Sequence, residues 1–213
     1  MNSSADILSN LVHSLGKGSI TVVDLTHPLG PATPMIKVPE GHGKQPPAVQ
    51  LDTISDYRDG GGYARWSTLT TAEHAGTHFD TPSHWYTGQD FRDGTTDTIS
   101  VDRFIAPACV IDCTAEVQDD EDFVLTADHL ISWESKYGSI PAGSWLLLHS
   151  GWANRFDNPG KFLNQIDGVY HSPGPSPDAV RHLLDRDVCG YGTETIGTDH
   201  GNANMFDPVF PAH

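Results

Sequence analysis

Basic side chains are scarce in this chain: 12 Lys and Arg stand against 28 Asp and Glu, for a formal charge of -16. A surface of that sign repels a phosphate backbone, which argues against nucleic acid as a partner. Cysteine is also sparse. An odd count of three at low density implies no disulfide framework, and Cys109 and Cys113, set in the apolar run 108–113, are expected to be core thiols. No apolar run approaches the length of a membrane span. Residues 1–15 lack the basic start and long apolar stretch of a signal peptide; Ile7, Leu8, Leu11, Val12 and Leu15 instead mark a short amphipathic helix. The expectation is a cytoplasmic protein with no membrane partner. Internal repeats and low-complexity segments are missing too. The one concentrated acidic run, Asp119-Asp120-Glu121-Asp122, has no EF-hand spacing around it and is expected to be a solvated loop.

What is present suits one domain spanning residues 1–213, with 21 Gly and 15 Pro for turns and ordered loops and 5 Trp, 8 Phe and 6 Tyr for a core. Ile20–Thr26 is β-branched and is predicted to be a strand. Residues 28–47, with six prolines and three glycines, form a long loop. Val49–Ile54 alternates, and Tyr63–Ala72 is a second strand candidate running into a histidine-rich segment. Cys109–Cys113 and the apolar run Trp145–Leu148 read as buried strands. Thr126–Tyr137 follows a helical pattern with Thr126 as cap. Ser176-Pro177-Asp178 opens another helix, with Ser as cap, Pro in the first turn and an acid at the positive end, and it ends before Val188. Tyr191–Thr198 is the last strand candidate. The class is mixed α/β.

The segment His74-Ala75-Gly76-Thr77-His78-Phe79-Asp80-Thr81-Pro82-Ser83-His84 places three imidazoles and a carboxylate within eleven residues. Packing alone seldom gathers such groups, because they carry a desolvation cost unless something cationic or catalytic uses them. Imidazole nitrogen with carboxylate oxygen is a donor set for Zn, Mn or Fe. Gly76 and Pro82 argue against a helix. On extended backbone, His78 and Asp80, two apart, point to one side. They could share one ion, with His74 brought in by a turn at Gly76 and His84 redirected by Pro82. Three ligands leave open positions, as in a catalytic site.

This pattern resembles the signature of the metal-dependent cyclase superfamily, which includes bacterial kynurenine formamidases and isatin hydrolases. Further resemblances lie in Asp24-Leu25-Thr26, in Ser172–Asp178, and in Ile196–Asp199 through Phe210-Pro211-Ala212-His213. Glu73, His84-Trp85 and Thr96-Asp97-Thr98 lean toward the isatin-hydrolase branch. The resemblance implies a swivelling β/β/α domain, a mixed sheet with flanking helices, assembled as a homodimer or higher homo-oligomer. It implies one divalent ion, Mn favoured and Zn possible, on His74, His78 and Asp80. His84 would relay protons and His213 would help hold substrate. Family members continue past the position of His213 with further elements, and in the formamidase group that tail carries a glutamate for a second metal. The expectation is therefore a chain truncated at its C-terminus.

A cation so held lowers the pKa of a bound water, and an imidazole such as His84 suits the proton transfers of amide hydrolysis. The expected substrate is a small aromatic cyclic amide of the isatin type. Trp66, Trp85 and Phe79 could wall a flat ring, although Phe79 reads more readily as packing. The alternatives are an arylformamidase acting on N-formylkynurenine and a truncated, catalytically silent metal-binding protein. Among the other histidines, His27 is assigned to a turn, His149 to a strand end bordering a cleft, and His200 to the neighbourhood of the metal, with Asp199 orienting a ligand. His13, His42, His129, His171 and His182 are expected at the surface. Ser150-Gly151 lacks a nucleophile-elbow pattern.

Overall fold

Ser3 starts the first helix. Its hydroxyl accepts the Asp6 amide proton (3.2 Å) while the Asp6 carboxylate accepts the Ser3 amide proton (3.0 Å), a reciprocal cap for α1 (Ser4–Gly16). The structure, a computed structural model, describes residues 3–38, 43–207 and 210–212. The apolar face of α1 is present as expected, yet none of its residues is buried. Strands β1 (Gln50–Ser55) and β2 (Trp66–Thr70) pair antiparallel with Leu51 opposite Leu69.

The second half alternates short strands and helices: β3 (Ala108–Asp112), α2 (Thr114–Asp119), β4 (Val124–Leu125), α3 (Ala127–Tyr137), β5 (Trp145–His149), α4 (Pro159–Leu163), β6 (Gln165–Ile166), β7 (Val169–Tyr170), β8 (Gly174–Pro175), α5 (Pro177–Asp185) and β9 (Gly190–Gly192). Strands β3, β5 and β9 form a parallel sheet in that order, with Val110 opposite Leu147 and Leu147 opposite Gly192. Parallel neighbours need crossovers, which the intervening helices supply. Burial alternates along β5: Leu146 and Leu148 face inward and are fully covered. The main apolar cluster draws all its buried members from Cys109 to Leu183, including Leu125, Leu130, Trp152 and Phe162. Each such side chain contributes about 1.5–3 kcal/mol by leaving water.

Helices α3 and α5 are clamped by polar contacts as well. The Glu134 carboxylate accepts from Arg186 Nε (2.6 Å), Arg186 Nη2 (2.9 Å), His182 Nε2 (3.0 Å) and the Ile140 amide (3.0 Å). The Arg186 guanidinium leads in holding the Glu134 carboxyl at about 2, against the opposing effect of desolvation.

Several expectations need correction. Ile20–Thr26 forms no strand and pairs with none among the described residues, and Val22 is 78% exposed. The last strand is only Gly190–Gly192, because the chain then turns so that Glu194 can bond His149 and Ser150. His182 and His171 are not free surface groups: His182 is bonded to Glu134, and His171 Nδ1 lies 2.6 Å from Asp122. The acidic run is largely exposed, as expected, though not without partners. Glu121 pairs with Arg155 (2.7 Å) and accepts from Asn164, and Asp120 accepts the Asp122 amide proton. His42 lies outside the described residues. No helix among those described is long and apolar enough to cross a membrane.

Candidate metal centre

Beyond β2 the backbone becomes irregular and turns sharply at Gly76, whose φ of +63° is in the left-handed region that favours glycine. A Cβ there would also lie 3.2 Å from Leu29 Cδ1. The turn folds His74 back onto His78, their rings 5.0 Å apart and nearly perpendicular. Asp80 lies between them, its Oδ1 2.7 Å from His74 Nδ1 and 3.3 Å from His78 Nε2. One ligand atom from each of the three residues falls within 4.8 Å of the others. The side chains anticipated as a ligand set are thus brought together.

The spacing suits a single divalent ion. Ligand atoms each ~2.1 Å from a common ion lie ~3.0 Å apart at a right angle and ~3.4 Å apart at the tetrahedral angle. The 3.3 Å Asp80 contact falls within that range and the 2.7 Å contact just short of it. The tautomer of His78 is also fixed. The Gly76 carbonyl can only accept, so His78 Nδ1–H donates to it (2.8 Å), and Nε2 is the nitrogen turned toward Asp80, bonded to the carboxylate when protonated and able to coordinate an ion when not. Burial opposes ionisation of Asp80, but the His78 hydrogen bond and the neighbouring His74, His78 and His84 outweigh it and hold the carboxyl at about 2. In return, the hydrogen bond with Asp80 raises the pKa of His78, against desolvation.

His84 sits on a single 3₁₀ turn, Pro82–His84. Its amide donates to Thr81 O (2.9 Å), and Ser83 N–H donates to Gly94 O (3.0 Å). The chain returns so closely at Gly88 that a Cβ there would collide with the Pro82 carbonyl. The turn sets the His84 ring 3.9 Å from the His74 ring, tilted by 38°.

A cavity of about 390 Å³ opens beside these rings, lined by Glu73, Phe79, Thr81, Ser83, Thr95 and Thr96 together with His74, His78 and His84. Trp66 does not line it and stands 59% exposed on β2. Trp85 also lies off the lining and packs edge-on to Phe210 (5.4 Å). Phe79 combines both roles weighed for it, lining the cavity and packing against Phe104 at 4.8 Å. His213 lies outside the described residues.

His200 is not at the cluster. Its Nε2–H donates to the Asp122 carbonyl (2.8 Å) and its Nδ1 accepts from Asn202 (3.0 Å), so both nitrogens are committed elsewhere. Asp199 accepts the Ala212 amide proton at 2.7 Å. His149 bonds Glu194 (2.9 Å) and does not line the cavity.

Thr81, Ser83 and Thr95 are lining residues that sequence reasoning does not single out, and Thr96 enters it only through the family resemblance. Asp93-Gly94 is a turn signal that could have placed the second wall near the first. Thr95 itself is held in that turn, its hydroxyl donating to Asp97 (2.6 Å) and its amide to Thr98 Oγ1 (3.1 Å).

The putative cyclase family profile matches residues 23–200. The isatin hydrolase of Roseibium aggregatum is 44% identical over 211 residues, covering 99% of this chain and 80% of the relative. A crystal structure of an isatin hydrolase bound to the product analogue thioisatinate superposes with a TM-score of 0.96 at 44% identity, over 100% of this chain and 81% of that one. Isatin hydrolase A from Ralstonia solanacearum superposes with a TM-score of 0.95 at 40% identity, over the same shares. The mixed α/β fold is therefore the cyclase-like one, and the chain belongs to the putative cyclase family.

Proposed function

We propose that this protein is a metal-dependent hydrolase that opens a small aromatic cyclic amide of the isatin type. The observation that carries the reading is the convergence of His74, His78 and Asp80, with the His84 ring 3.9 Å from that of His74 in the lining of a shared cavity. The similarity to isatin hydrolases over nearly the whole chain supports the substrate class. A divalent ion, Mn favoured and Zn possible, would be held by His74, His78 and Asp80 and would supply Lewis acidity and an acidified water.

The chain's own residues do the remainder. The Gly76 carbonyl fixes the tautomer that leaves His78 Nε2 free to coordinate. His84 takes a proton from the attacking water and delivers it to the departing ring nitrogen. The water oxygen forms a bond to the amide carbon, the carbon–nitrogen bond breaks, and the product is an amino-carboxylate. Phe79 offers an apolar surface in a cavity otherwise walled by imidazoles, hydroxyls and a carboxylate. His213, Trp66 and Trp85 remain proposed substrate contacts.

We also assign the protein to a homodimer or higher homo-oligomer. The chain exposes 14179 Å², whereas a folded monomer of 23.1 kDa is expected to expose ~9,700 Å². Exposed apolar side chains at Val22, Leu25, Leu51, Trp66 and Leu69 contribute to the excess.

The deciding experiment follows isatin ring opening by absorbance in chelator-treated protein, before and after restoring Mn²⁺ or Zn²⁺, with N-formylkynurenine as competitor substrate. Metal-dependent loss of isatin supports the reading. Preference for the open-chain formamide overturns it.

A further inference from the structure

The turn that carries the candidate ligands is held from outside by a segment the proposed chemistry does not use. The His27 amide donates to Thr77 Oγ1 at 3.0 Å, across fifty residues of sequence. The His27 ring lies flat on Phe156, with centroids 3.9 Å apart and planes within 5°. Phe156 is buried in the main apolar cluster and meets Phe162 edge-on at 5.4 Å. Two residues past His27, Leu29 lies beside the turn, its Cδ1 3.2 Å from where a Cβ at Gly76 would stand. Thr33, itself buried, accepts the Gly30 amide proton through its hydroxyl (3.0 Å) and so holds this segment in shape.

Thr77 stands between Gly76, whose carbonyl orients the His78 ring, and His78 itself. Fixing the Thr77 side chain therefore fixes the peptide that sets the direction of the His78 nitrogen. We propose that Thr77 and His27 form a strut from the metal-binding turn to the apolar core, and that both are positioning residues for His78. The strut resists rotation of the turn in two ways: the hydroxyl acceptor sets where peptide 76–77 lies, and the ring stack sets where His27 lies. Its role rests on the assignment of His74, His78 and Asp80 as ligands. Groups that orient a coordinating histidine typically alter metal affinity by ~10–100-fold when removed.

Mn²⁺ affinity, measured by chelator competition on the whole protein, tests the role, and hydrogen exchange of the His27 amide in the metal-free protein tests the contact. Thr77→Val, which keeps the shape and loses the acceptor, should weaken Mn²⁺ binding ~10-fold or more and speed exchange of the His27 amide; Thr77→Ser should leave both close to wild type. His27→Ala should weaken binding similarly, while His27→Phe, which retains the stack, should not. The His27 pair makes the same comparison if Thr77→Val fails to fold. Wild-type Mn²⁺ affinity in both Thr77→Val and His27→Ala overturns the proposal, as does a His27 amide that exchanges equally in Thr77→Val and wild type. Wild-type Mn²⁺ affinity in His78→Ala overturns the ligand assignment, and the strut's role falls with it; the exchange comparison distinguishes that failure, because it does not depend on metal.

Discussion

The imidazole of His78 is bonded to the carbonyl of Gly76, two residues earlier in the same turn, at 2.8 Å. This short loop commits one ring nitrogen to the backbone and presents the other toward Asp80. A local turn thereby creates a preorganised nitrogen ligand, which long-range packing then holds in place.

Removing that ligand should abolish tight metal binding. His78→Ala is expected to lower Mn²⁺ affinity by at least ~100-fold, beyond the range for an orienting partner alone. The rise in melting temperature expected for wild type on adding Mn²⁺ should vanish with it. Calorimetric titration and thermal denaturation with and without metal check both.

His84 should behave differently. His84→Ala is expected to keep wild-type metal content and lose ~10²–10³-fold in kcat, the scale of a general acid–base group. Metal analysis beside steady-state ring-opening kinetics separates the two histidines. A variant with normal turnover would remove His84 from the reaction.

Much of this was readable in the sequence because it is local. The four cluster residues are covalently close, and Gly76 and Pro82 supply the turns that aim them. Helices α3 and α5 were legible from caps and apolar spacing, and β3 and β5 from short β-branched or apolar runs. The failures share a cause. Ile20–Thr26 has the composition of a strand, but a strand needs a partner, which composition cannot supply. His200 reads as a neighbour of the metal until its two nitrogens find Asn202 and Asp122, the second a contact that exists only once distant segments meet. Thr95 and Thr96 line the cavity because Gly94 pairs with Ser83, a tertiary contact between hydroxyl-rich loops with no marked chemistry of their own.

The clamp at Glu134 predicts an acid-side loss of stability. Its folded pKa of about 2 lies below the ordinary glutamate value of 4.5, so its contribution is fully present above 4.5 and fades as pH falls toward 2. Glu134→Gln should be less stable than wild type by roughly 1–3 kcal/mol at neutral pH. That gap should narrow as pH is lowered from 4.5 toward 2. Urea denaturation across this range measures it; a gap independent of pH would show that the charge of Glu134 is not what matters.

Deleting core volume should be costly without touching the chemistry directly. Leu146 is fully covered at the centre of the parallel sheet. Leu146→Ala is expected to cost about 2–5 kcal/mol in urea denaturation, while the folded fraction retains its affinity for Mn²⁺.

The main apolar cluster ends at Cys109 on one side and Leu183 on the other, whereas the candidate ligands and cavity walls lie between Glu73 and Thr96. The residues that make the body and those that would select a substrate are therefore different residues. Exchanges at Phe79, Ser83 or Thr96 can reshape the cavity without opening a void in that cluster, so this part of the chain can change its choice of substrate while the fold is left intact.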